Sequence, residues 1–354
     1  QLLIKKVIIP LMVAGVFCSL ASGCSAKEYA WVVKIDDRQI PPGIYLVAQM
    51  CAYIEAEMSL DEKDEGITTD ITGATIEGVS GEEWINNKTV ENLKEYCYID
   101  KEFANRGMEI SEKEEEYIAS VGASVWDTVG GAYGESGVEK QYYFDYLHYL
   151  YKNQRVFNDI YSLGGEKEVP SKVVKDYLKE NLSRIQGFQI AKVNDDGTPP
   201  NENQLQELKT MAQEAVSEVS GGMDMAAAAG KYMSKAGALL GSTADFSNGE
   251  KFMLDSYLNK ANGNVEEEFA KLVDSLKENE CTVYDTNEYY LVFQKVPTYS
   301  SQGEYDSLRQ TVVNLLKTDE FNAFVREQCR DMTVQVDERA VKHYSPSKMK
   351  ISYS

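Results

Sequence analysis

The first hydrophobic stretch of the chain, Val7 to Leu20, follows Lys5 and Lys6 and runs into the small residues Ala21, Ser22 and Gly23. A positive start, a short apolar run and a small-residue end form the pattern of a secretory signal. The run is too short to span a bilayer. After it the apolar residues fall into alternating and helical spacings. Val32 to Ile35 reads as a short strand, Asp36 to Arg38 as a turn, and Pro41-Pro42 as the opening of a helix that carries Ile44, Tyr45, Val47, Ala48, Cys51, Ala52 and Ile54 as a stripe. The acidic stretch from Ser59 to Gly81 interrupts that pattern and reads as a solvated insertion. Its Asp61-x-Lys63-x-Glu65-Gly66 is a poor calcium loop because a lysine occupies a ligand position.

Helical spacing resumes at Trp84 and continues through Cys97, Phe103 and Ile110, with a break at Gly107. Ser111 and Glu114 then stand three apart, as a capping box for the next helix requires. Gly130 to Gly137 reads as a glycine-rich joint. In the following helix, Gln141 to Tyr161, Tyr142, Tyr146 and Tyr149 share one face while Phe144, Leu147 and Tyr151 share another. Two aromatic stripes predict burial on more than one side, or else an aromatic surface that grips unfolded chains.

Leu163 to Gly165 closes this helical block, and a connecting helix from Val169 to Leu182 starts at Pro170. Gly187 to Val193 then alternates as a strand does and ends in the Asn194-Gly197 turn. Helices are predicted over Gln204–Val219, Met225–Met233 and Val265–Leu276, and strands over Cys281–Tyr284 and Tyr289–Lys295. This order gives an α+β unit with an antiparallel sheet. A long amphipathic helix from Glu304 to Cys329 and a short strand at Val334–Val336 finish the pattern.

Composition narrows the function. At 354 residues the chain exceeds one ordinary domain. Its net charge of −21 becomes more negative once Lys5 and Lys6 are removed, which argues against nucleic acid as a partner. Two histidines, His148 and His343, far apart and each without a second one nearby, leave no basis for Ser/His/Asp or Cys/His catalysis or for a histidine metal site. Cys51, Cys97, Cys281 and Cys329 contain no C-x-x-C pair, so no zinc or redox motif is indicated. In an exported protein they either form up to two bridges or stay as buried thiols.

Leu20-Ala21-Ser22-Gly23-Cys24 resembles the lipobox of bacterial lipoproteins. The resemblance implies cleavage before Cys24, diacylglycerol on its thiol and attachment to the outer face of the cell membrane, where two acyl chains anchor lastingly. Ala21 stands where that family prefers leucine.

The later motifs are similar to the exported SurA/PrsA-type foldases, in which a helical chaperone domain is interrupted by a parvulin-type peptidyl-prolyl isomerase domain. Val32 to Ile40 resembles the opening V-x-V-N-G-x-x-I segment, and Gly222-Met223-Asp224-Met225 with its four alanines resembles the parvulin G-x-D-F-x-x-L-A start. Phe269 to Glu280 resembles the lead into the parvulin's last strands, Asp285 to Lys295 the terminal strand, and Leu308 to Tyr344 the helix and strand that pack back onto the first domain. The implied fold class is α+β. Its parts are a signal peptide at 1–23, a helical chaperone-like domain at 24–165, a connecting helix at 166–185, a parvulin-like domain at 186–298, a C-terminal helix and strand at 299–346 and a tail at 347–354.

The implied function is a folding factor for unfolded or newly exported polypeptides, with no cofactor and no metal. Gln189 and Tyr290 stand where active members carry histidines, so the isomerase is expected to be weak or lost. Such an enzyme has to lower an amide rotation barrier of about 18–20 kcal/mol by binding the twisted bond better than the planar one. Phe188, Met225, Phe252, Met253 and Phe293 are the candidates for an apolar client groove, against the plainer reading of ordinary core. The alternatives are an active isomerase rebuilt around Gln189 and Tyr290, and a surface lipoprotein that binds a small ligand or partner.

Overall fold

The computed structural model describes residues 29–61, 70–135, 137–262 and 265–349. The signal segment, Cys24 and the Asp61-Gly66 loop beyond its first residue lie outside them. The chain divides into two compact units, one formed by residues 169–313 and the other by the residues before 169 together with those from 314 onward.

The second of these units opens with a hairpin of β1 (Val33–Ile35) and β2 (Arg38–Ile40), followed by helix α1 (Pro42–Asp61). Asp36 makes the turn with φ +50°, a left-handed conformation that Asp tolerates better than most residues. Residues 70–80, expected as a solvated insertion, form a second hairpin of β3 (Thr75–Ile76) and β4 (Val79–Ser80). Glu77 and Gly78 both take positive φ, as a two-residue hairpin turn demands. The stretch is polar overall, but Ile71 and Ile76 are buried against Ala52, Ala56 and Ile85, so two isoleucines anchor it.

Ser80 caps helix α2 (Gly81–Asn105) by accepting from Glu83 N at 3.2 Å. The capping box precedes α3 (Glu112–Glu135): Glu114 accepts from Ser111 N at 2.8 Å and Ser111 Oγ accepts from Glu114 N. The expected glycine joint is a continuation of α3 through Gly130, Gly131 and Gly134. Glycine fits there because Trp126 lies against Gly130, where a Cβ would meet the indole at 2.6 Å. Glycine costs a helix about 1 kcal/mol per residue, and here it leaves room for Trp126, one turn earlier on α3, to pack on Tyr143 of the next helix at 5.2 Å between ring centroids.

Helix α4 (Lys140–Tyr161) buries Tyr143, Tyr146, Tyr149, Val156, Phe157 and Ile160. The buried face therefore runs through Tyr143, and Tyr142 instead lies over Gly43 of α1. Tyr143 stacks among Trp126, Tyr133 and Phe144 at 5.2–5.8 Å between ring centroids, and Tyr96 against Tyr146 and Tyr149. Tyr143, Tyr146 and Tyr149 are core, while Tyr142, Phe144, Leu147 and Tyr151 are half-buried.

Residues 169–313 begin with α5 (Ser171–Asn181), which leads directly into β5 (Leu182–Ala191). Then come α6 (Glu202–Ser220), α7 (Met225–Leu240), a 3-10 turn at Gly249–Phe252, β6 (Leu254–Asn259), α8 (Glu267–Ser275), β7 (Cys281–Asp285) and β8 (Tyr289–Val296). The sheet has the order β6-β5-β8-β7, antiparallel throughout. Strand β6 is absent from the sequence reading because its half-buried residues do not alternate cleanly. Helices α6 and α7 cover one face around Phe188, Ile190, Tyr290 and Val292, and α8 covers the other around Ile185, Leu291 and Phe293. The protein is α+β.

Helix α9 (Gln302–Cys329) belongs to this unit up to Val313 and to the helical unit from Asn314. In the helical unit Phe321 meets Phe157 edge to face at 5.4 Å. Strand β9 (Val334–Val336) then pairs antiparallel with β1, and α10 (Glu338–His343) follows. Thr333 N donates to Asp36 at 2.9 Å, and Gln49 Nε2 donates to the Tyr344 carbonyl at 2.9 Å. All four described cysteines are free and buried. Among the described residues no helix is long and apolar enough to cross a membrane.

Candidate functional site

The sheet unit contains an open pocket of about 310 Å³ where β5 ends beside the last turns of α7. One wall is Ile190, Ala191 and Val193; the opposite wall is Met233, Ala236 and Leu240. Local sequence accounts for the opening. Ala236 and Gly237 present no bulk to fill the space, and α7 stops at Gly241, whose φ of +81° is the left-handed C-cap that glycine adopts most readily.

Phe246 forms the lip. The segment carrying it lies backbone to backbone against α7: a Cβ on Gly249 would meet the Ala226 carbonyl at 1.9 Å, and one on Gly230 the Ser247 carbonyl at 2.8 Å. Gly237 lies under the Phe246 ring, where a Cβ would approach it to 2.7 Å, and Phe252 supports that ring at 5.2 Å between centroids. Glycines at 230, 237 and 249 thus let the segment carrying Phe246 lie against α7 beside the pocket. On the strand side, Asn194 and Thr198 close the turn after β5, and Gln204 Nε2 donates to the carbonyl of Leu239 at 3.2 Å.

The rim is acidic. Asp195 lines the pocket, with Asp196 next to it in the chain and Asp245 next to the lip. Hydrogen bonds from the hydroxyl and backbone of Thr198 hold Asp196 below the ordinary carboxylate range, and those from Ser247 do the same for Asp245.

The residues singled out from sequence do not converge on this site. Gln189 pairs with Leu291 and Ile190 with Tyr290, so alternation along the strands puts Gln189 and Tyr290 on opposite faces of the sheet. Tyr290 is buried in the α6–α7 core, with the Lys192 ammonium 3.9 Å from its ring centroid. Lys192 itself is paired with the Asp285 carboxylate. Gln189 is half-buried and borders the pocket.

The five groove candidates are also divided. Phe188 and Met225 are core, with Met253 packed against the same cluster. Phe293 is fully buried on the other face, beside Phe269. Of the five, only Phe252 touches the pocket's structure, as the support of Phe246. Phe246 and Val193 were missed. Their signal was an aromatic alone in the polar run Ser242–Glu250 and a valine placed past the strand's last paired residue.

Among the described residues no group of three or more His, Cys, Asp or Glu side chains is placed to hold a metal. No protein-family model matches the chain, and no curated protein matches it. Among solved structures it is similar to PrsA from Bacillus subtilis, at 16% identity over 79% of this chain and 98% of that one, with a TM-score of 0.33. It is also similar to the foldase protein PrsA from Streptococcus pneumoniae, at 13% identity over 77% and 98%, with a TM-score of 0.38. A third is the peptidylprolyl isomerase PrsA from Bacillus cereus, at 16% identity over 77% and 97%, with a TM-score of 0.25. The α+β assignment rests on the sheet and helices of this chain itself.

Proposed function

We propose that this protein is an exported folding factor, anchored to the outer face of the membrane through lipid on Cys24, that holds unfolded polypeptides and has little or no prolyl isomerase activity of its own. The observation that carries the reading is the open apolar pocket under Phe246. Its volume lies at the small end of ligand-binding cavities, the size for a side chain such as proline or leucine projecting from an extended chain. Low sequence specificity follows from an apolar slot with few fixed polar partners.

Strand register supports the reading of weak or lost isomerase activity. A twisted X-Pro bond needs polar groups converging on one amide, and Gln189 and Tyr290 face away from each other across the sheet. Parvulin-like boundaries at 186–298 and a chaperone role for the helical unit belong to the same proposal.

The chain from Ser25 onward is expected to slow aggregation of a denatured client at stoichiometric ratio. Val193→Asp, which charges an exposed pocket wall, is expected to abolish that effect while leaving the circular dichroism spectrum unchanged. A Val193→Asp protein as active as the parent would remove the pocket from the mechanism. In the same preparations, cis/trans exchange of prolyl tetrapeptides followed by NMR is expected to show no acceleration.

A further inference from the structure

A second pocket, of about 430 Å³, adjoins the first at the same end of β5 and shares Gln189, Ala191 and Val193 with it. Its remaining wall is the β7–β8 turn, including Asn287, Glu288 and Tyr289. The two pockets thus flank one ridge, crowned by Val193, which is 46% exposed although apolar. An extended polypeptide laid across such a ridge places neighbouring side chains on either side of it.

The charges around the ridge have one sign. Asp195 lines the first pocket and Glu288 the second, both exposed. Among the described residues lining either pocket the single base is Lys192, whose side chain is only 10% exposed and already held by the Asp285 carboxylate and the Thr286 carbonyl. It offers nothing to an incoming anion. Asp196 and Asp245 extend the negative field along the rim, and the whole chain carries −21.

Resting on the folding-factor reading above, we infer that the paired pockets select segments in which an apolar residue is flanked by lysine or arginine. The apolar side chain fills the pocket under Phe246, and the cations meet Asp195 and Glu288. Acidic segments are turned away by the same groups, so the surface discriminates by charge as well as by hydrophobicity.

The test uses fluorescein-labelled nonapeptides with a central proline or leucine and lysine, glutamine or glutamate at the flanking positions, titrated by anisotropy against the chain from Ser25 onward. The lysine peptides are expected to bind about fivefold more tightly than the glutamine peptides, the size two solvent-exposed ion pairs supply. The glutamate peptides are expected to be weakest, and the spread to shrink in high salt. In the Asp195→Lys/Glu288→Lys protein, both changes being at exposed positions, the order is expected to reverse. Equal binding of all three series with binding retained would overturn the charge selection and leave the folding-factor reading standing. Absence of binding by every peptide, with the protein folded, would overturn that reading as well.

Discussion

The helical unit and the sheet unit use aromatic residues to opposite ends. In the helical unit Trp126 and Tyr133 of α3 close on Tyr143 of α4, and Tyr146 and Tyr149 of α4 close on Tyr96 of α2, so rings of neighbouring helices fill space between them. In the sheet unit Phe246 rests on Gly237 beside an open pocket lined by Ile190, Ala191, Val193, Met233, Ala236 and Leu240. Aromatic content alone therefore does not mark a binding surface. What differs is that space beside Phe246 stays open, whereas the rings of the helical unit meet one another.

The comparison breaks first at Tyr143. Truncation of this fully buried ring, Tyr143→Ala, is expected to destabilise the protein by about 3–5 kcal/mol, as large aromatic deletions do when neighbours cannot collapse. Guanidinium unfolding checks it, and a loss under about 1 kcal/mol, the size of an average substitution, would mean that the helical core is looser than its ring geometry.

Enlarging small residues sharpens the contrast. Ala52→Leu in the helical unit, at a position with no exposure, is expected to cost about 1–3 kcal/mol through overpacking. Ala191→Leu in the pocket wall, which is exposed, is expected to change stability by less than about 0.5 kcal/mol and to weaken client binding. Equal costs at the two sites would mean that the pocket is as filled as the core.

Acid is expected to act on the helical unit through Glu114. Hydrogen bonds from Tyr151 and from the backbone and hydroxyl of Ser111, with Arg155 nearby, lower its carboxyl to about 2. Between that value and the ordinary glutamate range the unfolded chain binds the extra proton and the folded chain does not. The contribution is therefore complete above the unfolded value and is lost as pH falls toward 2. Glu114→Gln is expected to flatten this part of the stability profile, read from unfolding midpoints between pH 5 and pH 2.

The smallest effect is chemical rather than energetic. Burial pushes the thiols of Cys97 and Cys281 up to about 11 and those of Cys51 and Cys329 up to about 12. At pH 7 these four are expected to resist maleimide in the native state and to react in denaturant, as mass spectrometry would count. Rapid native labelling of Cys281 alone would show that the sheet unit opens locally.

Much of the fold was legible in the chain. The Ser111–Glu114 box begins α3 and the alternation that starts at Gly187 belongs to β5, because each of these signals acts through groups a few residues apart; α7, expected to end at Met233, runs on to Leu240 and its glycine C-cap at Gly241. The errors came where distant packing overrode local texture. Two isoleucines folded a polar stretch into a hairpin against α1 and α2, and α3 runs through its glycines with Trp126 packed on Tyr143 of α4.

The candidate site was less legible. Gln189 and Tyr290 were each placed on the correct kind of element, but a strand's own sequence does not fix its partner's register, and one residue of register exchanges the two faces of a strand. The sequence by itself determined most of the longer helices and the strands β5, β7 and β8, where several of them begin, and the acidity of the chain. Only the tertiary structure decided which side chains share a face and which space stays unfilled, because register and packing are set between segments far apart in the chain.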